Sequence, residues 1–293
     1  MSHLLELFEE SDAPRPEIRD ASHNLADIVV GDVRTVLQSF PDETFRTCVT
    51  SPPYWGLRDY GTEGQIGAEK DIRDYIKDLV AVFREVRRVL THDGTFWLNV
   101  GDSYTSGGRT WRDVDAKNKG RGMSYRADTP EGLKPKDLIG VPWRLALALQ
   151  EDGWYLRTDI IWNKPNCQPE SVKDRPTRSH EYVFLLTKSE KYFYDHSAIL
   201  EPAIDPKQKA KNRRTVWNIN TEPYPGSHFA VYPRQLVRLC VQAGSQPGDR
   251  VLDPFFGSGT TGVVCNELAR RCTGVELNAD YAELARERLL KRR

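Results

Sequence analysis

Two buried-strand runs in this chain stop at residues that no central strand can contain. Arg46 to Thr50 runs into Ser51-Pro52-Pro53-Tyr54, and Arg250 to Asp253 runs into Pro254-Phe255-Phe256-Gly257-Ser258-Gly259. Proline has no N–H for a sheet ladder, so each segment must leave its sheet at the carboxyl edge. In open α/β sheets that edge is where ligands bind. One pattern therefore constrains both the architecture and the place of the site.

The periodicity around these exits is that of an α/β chain. Ala26 to Val30 is a short apolar run ending at Gly31-Asp32, and Val33 to Phe40 has helical spacing; with Arg46 to Thr50 they predict a βαβ unit with parallel pairing. A helix is predicted from about Ile72 to Leu90, its apolar face made by Ile76, Leu79, Val80, Phe83, Val86 and Leu90. Strands follow at Thr95 to Val100, Tyr155 to Trp162 and His180 to Thr187, with a helix at Leu138 to Leu149. Pro233 to Ala243, Thr260 to Arg270 and Ala279 to Leu290 read as helices alternating with strands at Arg250 to Asp253 and Cys272 to Glu276. Residues 1–24 carry a Leu4, Leu5, Leu7, Phe8 stripe and then a polar, proline-punctuated tail, which predicts a docking helix at the surface.

At 293 residues and 39% hydrophobic, the chain can bury one substantial core. Lys and Arg total 42, as do Asp and Glu, so no global basicity announces a nucleic acid and any such site must come from local clustering. Two segments supply clusters. Residues 105–136 form a long, mobile loop by this reading, with Arg109, Arg112, Lys119 and Arg121 among eight cations against four acids. The second holds Lys209, Arg213 and Arg214 and precedes Trp217. With Trp111, Tyr125 and Trp217 interleaved, both suit phosphates and unstacked bases, or else a solvated loop. The five cysteines are scattered without metal-ligand spacing and read as reduced thiols in a cytosol. No apolar run approaches the ~20 residues that span a bilayer, which predicts a soluble, cytoplasmic protein.

The glycine stretch admits three ligands. A phosphate loop needs a Lys after the glycines, and none follows. A dinucleotide fold needs a third glycine, also missing, although Glu276 ends the next strand as that fold would ask. The third possibility rests on a resemblance. Ser51-Pro52-Pro53-Tyr54 and Asp253-Pro-Phe-Phe-Gly-Ser-Gly-Thr-Thr261 resemble motifs IV and I of the amino-methylating, S-adenosylmethionine-dependent DNA methyltransferases. The similarity covers most of residues 25–290. Because the catalytic motif comes first, the order resembles that of the circularly permuted β group, and the Ser-Pro-Pro-Tyr form is closest to the cytosine-N4 enzymes.

The resemblance implies a doubly wound, mostly parallel seven-stranded α/β sheet of the class I methyltransferase type, with an antiparallel hairpin strand. It divides the chain into an extension (1–24), a catalytic half (25–194), a small target-recognition segment (195–226) and a cofactor half (227–293). The βαβ unit from Asp253 to Glu276 is then expected to insert between the strands begun at Ala26 and Arg46. S-adenosyl-L-methionine is the implied cofactor, held by Phe229 and Pro233, by Phe255, Gly257, Ser258 and Gly259, and by Glu276 on the ribose hydroxyls. Asp253 is placed either in that crevice or as a cap of the turn, Thr260 as a ligand or a helix cap, and Asp32 near the adenine amine or as a helix N-cap.

For the target, Ser51 and the Pro52 and Pro53 carbonyls are implied acceptors for an exocyclic amine with two N–H donors. Such acceptors bias the nitrogen toward tetrahedral geometry, leaving its lone pair to attack in line, with alignment and preorganisation supplying the rate. Tyr54 offers a face for an extruded base, and Trp55 a pocket wall. The C5 chemistry of cytosine needs a cysteine nucleophile, commonly after proline, and no Pro-Cys occurs. Adenine N6 stays open beside cytosine N4. Arg175, with Arg178, Ser179, His180 and Glu181, resembles a segment bordering the target pocket. The implied partners are double-stranded DNA, a cognate restriction endonuclease and a second copy of the chain. The rival of another class is a catalytically silent DNA-binding protein that keeps the fold.

Overall fold

A computed structural model describes residues 26–57, 62, 64–105, 128–203, 210–222 and 232–291. In chain order its elements are β1 Ala26–Val30, α1 Val33–Val36, β2 Phe45–Thr50, α2 Ile72–Val89, β3 Leu90–Val100, α3 Val141–Glu151, β4 Tyr155–Asn163 and β5 His180–Thr187. There follow β6 Glu201–Pro202, β7 Ala210–Lys211, β8 Val216–Asn218, α4 Arg234–Gly244, β9 Arg250–Asp253, α5 Thr260–Glu267, β10 Arg271–Glu276 and α6 Ala279–Leu290.

The main sheet runs β1-β10-β9-β2-β3-β5-β4-β8, and β6 pairs with β7 apart from it. Only β5 is reversed, lying antiparallel to both β3 and β4. The expected insertion is present: β9 and β10 lie between β1 and β2, so the first βαβ unit is parallel without its strands being neighbours. The sheet has eight strands where seven were expected, because Val216–Asn218 adds to the far side of β4. Trp217 explains the addition. It is 3% exposed, its ring lies 6.4 Å from that of Trp97, and its Nε1 donates to the Arg214 carbonyl. The expectation that Trp217 serves unstacked bases is corrected: an indole seated in the core binds no nucleotide.

Period-two alternation supplies two cores. Phe96, Leu98, Leu252 and Cys48 face α1, α2 and α3, whereas Trp97, Val251 and Val49 face α4, α5 and α6. Helix α2 buries Ile72, Tyr75, Leu79, Val82, Phe83, Val86 and Val89, a stripe turned from the expected one so that Ile76 and Val80 are only partly covered. Tyr75 causes the turn, since its ring is fully buried and its hydroxyl reaches the Pro53 carbonyl at 2.8 Å. Helix α3 starts at Val141 rather than Leu138. The Asp102 carboxylate accepts from Gly140 N and Val141 N, and Gly140 takes the left-handed φ of 77° that ends the incoming loop.

Candidate active site and cofactor crevice

The two interrupted strands, β2 and β9, are parallel neighbours. Thr50, the last residue of β2, donates its hydroxyl to Asp253 Oδ1 at 2.6 Å, and both side chains are 1% exposed. Asp253 also accepts from Tyr232 OH at 2.9 Å, Thr261 Oγ1 at 2.5 Å and Phe255 N at 3.1 Å. Burial pushes its carboxyl above the ordinary carboxylate range, and these donors oppose the shift. With its oxygens committed inside the fold, Asp253 lies beneath the crevice. Of the two readings, the cap of the turn is the one its geometry fits.

Above it, Phe256 anchors the glycine turn. Its ring fills space that only glycine leaves at Gly262 and Gly274, and a Cβ at Gly262 would stand 2.7 Å from its Cζ. Gly257 and Gly259 have φ of 51° and 77°; a Cβ at Gly257 would meet nothing within 4 Å, so the backbone there faces open space, whereas one at Gly259 would lie 3.1 Å from Ala285 and 3.2 Å from the Phe256 ring. Glu276 closes one side of the turn, with Oε2 accepting from Gly257 N at 2.7 Å and Oε1 from Asn278 N at 2.9 Å. Burial raises its carboxyl above the usual range, while the two N–H donors pull it down. Each oxygen keeps acceptor capacity for a diol.

Other expected cofactor residues lie differently. Ser258 and Thr260, each 4% exposed, are held through their hydroxyls by the Arg288 guanidinium at 3.0 Å, so neither hydroxyl faces the open side of the turn. Phe255 is half-buried edge-on to Phe83, 6.2 Å between ring centres. Pro233 is the buried N-cap of α4 and carries Tyr232 onto Asp253. Asp32 caps α1 through Arg34 N at 2.9 Å and is gripped by the Arg34 guanidinium, the first cause of its lowered carboxyl pKa. Of its two readings the helix cap is present. Phe229 lies outside the described residues.

At the β2 exit, Ser51 Oγ donates to Tyr54 OH at 3.3 Å, and Tyr54 OH donates to Glu181 Oε2 at 2.8 Å. Glu181 also accepts from Asn99 Nδ2 at 3.2 Å and is paired with Lys164. Burial, and then the Glu181 charge, pushes the Tyr54 hydroxyl well above its ordinary value. The ring of Tyr54 packs on Gly101, where a Cβ would be 2.7 Å from Cε2. The Pro53 carbonyl accepts from the Tyr75 hydroxyl at 2.8 Å, which leaves one of its two lone pairs. Trp55 is buried and donates to the Glu69 carbonyl at 2.8 Å.

The basic residues divide. Arg109, Arg112, Lys119, Arg121 and Lys209 lie outside the described residues. Arg175 is bonded to Glu170 at 2.6 Å and stacked 3.9 Å over Tyr104, Arg213 donates to the Ile199 carbonyl at 2.8 Å, and Arg214 pairs with Glu201 at 2.8 Å. Without DNA, these three guanidinium groups bind the fold itself. Tyr75, Lys164, Asn99 and Arg288 carried no signal in the sequence, since each acts through a partner distant in the chain. Among the described residues no cluster could hold a metal ion, and no helix is long and apolar enough to cross a membrane.

A mostly parallel sheet with a reversed strand beside the middle, an open glycine turn backed by an acidic strand end, and Ser-Pro-Pro-Tyr at the same edge define a class I methyltransferase. The chain belongs to the DNA methylase family, whose model matches residues 45–287. It is 70% identical over 292 residues to the type II methyltransferase M.SmaI of Serratia marcescens, covering 100% of this chain and 99% of that one. Identity to M.Cfr9I of Citrobacter freundii is 59%, over 91% of this chain and 88% of the relative. A DNA modification methylase of Thermus thermophilus, solved in complex with S-adenosyl-L-methionine, matches at a TM-score of 0.62 and 28% identity, covering 90% and 93% of the two chains. PvuII DNA methyltransferase shares the fold at a TM-score of 0.68 and 19% identity, covering 93% and 91%. The protein is a DNA methyltransferase and its cofactor is S-adenosyl-L-methionine, a group that the open turn at Gly257 and the Glu276 carboxylate fit.

Proposed function

We propose that the chain methylates the exocyclic N4 amine of a cytosine extruded from duplex DNA. The observation that carries this reading is the placement of Ser51, through the Thr50 to Asp253 bond, at the same sheet edge as the Gly257 turn. S-adenosylmethionine supplies a methyl group made electrophilic by its sulfonium. Gly257 and Glu276 hold that donor, Glu276 by accepting from hydroxyls. Ser51 Oγ and the Pro52 carbonyl accept hydrogen bonds from the two amine N–H groups and turn the nitrogen lone pair toward the donor, and the proton shed by the methylated amine leaves to solvent. A serine at position 51, where adenine enzymes usually carry Asp or Asn, favours cytosine over adenine. The type II names of the relatives support a host-protective role beside a cognate endonuclease.

The test is direct. DNA methylated by the protein is digested to nucleosides, which are separated and identified by mass. N4-methyl-2′-deoxycytidine is the expected product; N6-methyl-2′-deoxyadenosine alone would remove the cytosine reading and leave the amine chemistry standing.

A further inference from the structure

A serine hydroxyl is an ambiguous group in the place of an acceptor. It has one hydrogen and two lone pairs on a free rotor, and a hydrogen turned toward the target amine would oppose the amine's own donors. Asparagine or aspartate in that place presents a carbonyl or carboxylate oxygen, with no such hydrogen on it. A Ser-Pro-Pro-Tyr site therefore needs something to fix the direction of the Ser51 hydrogen.

The hydrogen bonds around Glu181 do so. Three groups converge on its carboxylate, and two of them, the Lys164 ammonium and the Asn99 amide N–H, can only donate. The Asn99 amide is itself oriented by a second donation to the Tyr182 carbonyl at 3.1 Å. Opposite such a carboxylate, the Tyr54 hydroxyl must donate, as it does at 2.8 Å. Its oxygen is then left as an acceptor, and it faces Ser51 Oγ at 3.3 Å. The Ser51 hydrogen is drawn toward Tyr54, and its lone pairs are left for the amine. Lys164 and Glu181 are held for this by register: Trp162 pairs with Glu181 across β4 and β5, Lys164 N donates to the Ser179 carbonyl at 2.7 Å, and the Lys164 ammonium lies 4.2 Å over the Trp162 ring.

We propose that Glu181 is a positioning residue that sets the donor direction of a Glu181–Tyr54–Ser51 chain and thereby makes Ser51 an acceptor for the target amine. The proposal rests on the reading of Ser51 as that acceptor. Glu181→Gln weakens it because an amide can present N–H₂ as well as C=O, allowing the chain to reverse. Tyr54→Phe keeps the ring and removes the middle link.

The test measures methyl transfer to a duplex that the unaltered protein methylates, with kcat, both KM values, cofactor affinity and thermal stability for each variant. Glu181→Gln and Tyr54→Phe are each expected to lower kcat about tenfold, the lower end of what a hydrogen bond to a charged group is worth, with KM little changed. The double variant should be no slower than the slower single one, because both cut the same chain. In a Ser51→Asp background, where the acceptor carries no hydrogen to direct, Glu181→Gln should cost nothing further. A full rate in Glu181→Gln, independent losses that multiply to about a hundredfold, or a loss confined to KM and stability each overturns the proposal. The Lys164→Met/Glu181→Gln pair, which buries no lone charge, gives a folded protein for the same measurement if Glu181→Gln alone does not fold. Ser51→Ala separates the two claims: full activity there refutes the acceptor reading itself, whereas a dead Ser51→Ala beside a fully active Glu181→Gln refutes only the chain.

Discussion

Thr50→Val tests whether the two motif-bearing strands act as one unit. Valine has the shape of threonine, so the substitution opens no cavity and removes only the donor that meets Asp253 Oδ1 at 2.6 Å. Three donors remain on the carboxylate, from Tyr232, Thr261 and Phe255 N, so the charge is weakened in its support and not orphaned. The bond lost is buried and charge-assisted, worth about 1.5–3 kcal/mol. At about 2–4 °C per kcal/mol for a domain of this size, the midpoint of thermal unfolding should fall by roughly 4–8 °C for a loss near 2 kcal/mol.

The loss should also depend on pH, with a definite sign. Burial raises the folded-state pKa of Asp253 above its ordinary 3.8, so the fold favours the protonated carboxyl. Its contribution to stability is therefore present at low pH and is lost as pH rises through the folded value. The Thr50 hydroxyl supports mainly the ionised form, so removing it raises that pKa further and deepens the loss toward high pH. Melting curves taken across the pH range should show a deficit that grows as pH rises through the folded value. A deficit smaller than about 0.5 kcal/mol across that range would mean that Asp253 does not depend on Thr50, and the coupling of the two strands through this bond would be refuted.

Two further outcomes follow from the same geometry. Glu276→Gln should weaken the cofactor before it affects stability, and in the unaltered protein cofactor affinity should fall as pH drops toward the raised Glu276 value; calorimetric titration that finds equal affinity for both proteins removes Glu276 from the ribose. Trp217→Ala should cost about 3–5 kcal/mol of stability, as truncation of a buried aromatic does, and leave DNA affinity of the folded protein intact; lost affinity at an unchanged melting point would return Trp217 to the DNA site.

The parts legible in the sequence were those written in local pattern. Strand ends at Thr50 and Asp253 and the glycine turn follow from short apolar runs, glycines and prolines, whereas the strand insertion was implied by the family resemblance. Charge was less legible. Arg175, Arg213 and Arg214 look like a nucleic-acid surface in a list of residues, yet each guanidinium has a carboxylate or carbonyl of its own. A cation's partner is set by tertiary proximity, which no run of neighbours encodes. For the same reason Glu181 stood in the sequence only as part of a border to the target pocket, although three donors converge on it.

The motif order acquires a physical meaning from what joins the two motif-bearing strands. Strands β2 and β9 meet through the register pairs Thr47 with Val251 and Cys48 with Leu252, and above those pairs the Thr50 hydroxyl bridges to Asp253. Ser51 is one residue beyond Thr50, and Gly257 four beyond Asp253. An in-line transfer between a target held by one strand and a donor held by the other depends on their relative position within a fraction of an ångström. A buried carboxylate with four donors, one from β2 and the others from the cofactor half, is suited to fix that position. Its oxygens are held by donors inside the fold, so its protonation and its hydroxyl partners bear on the spacing of the two strand ends.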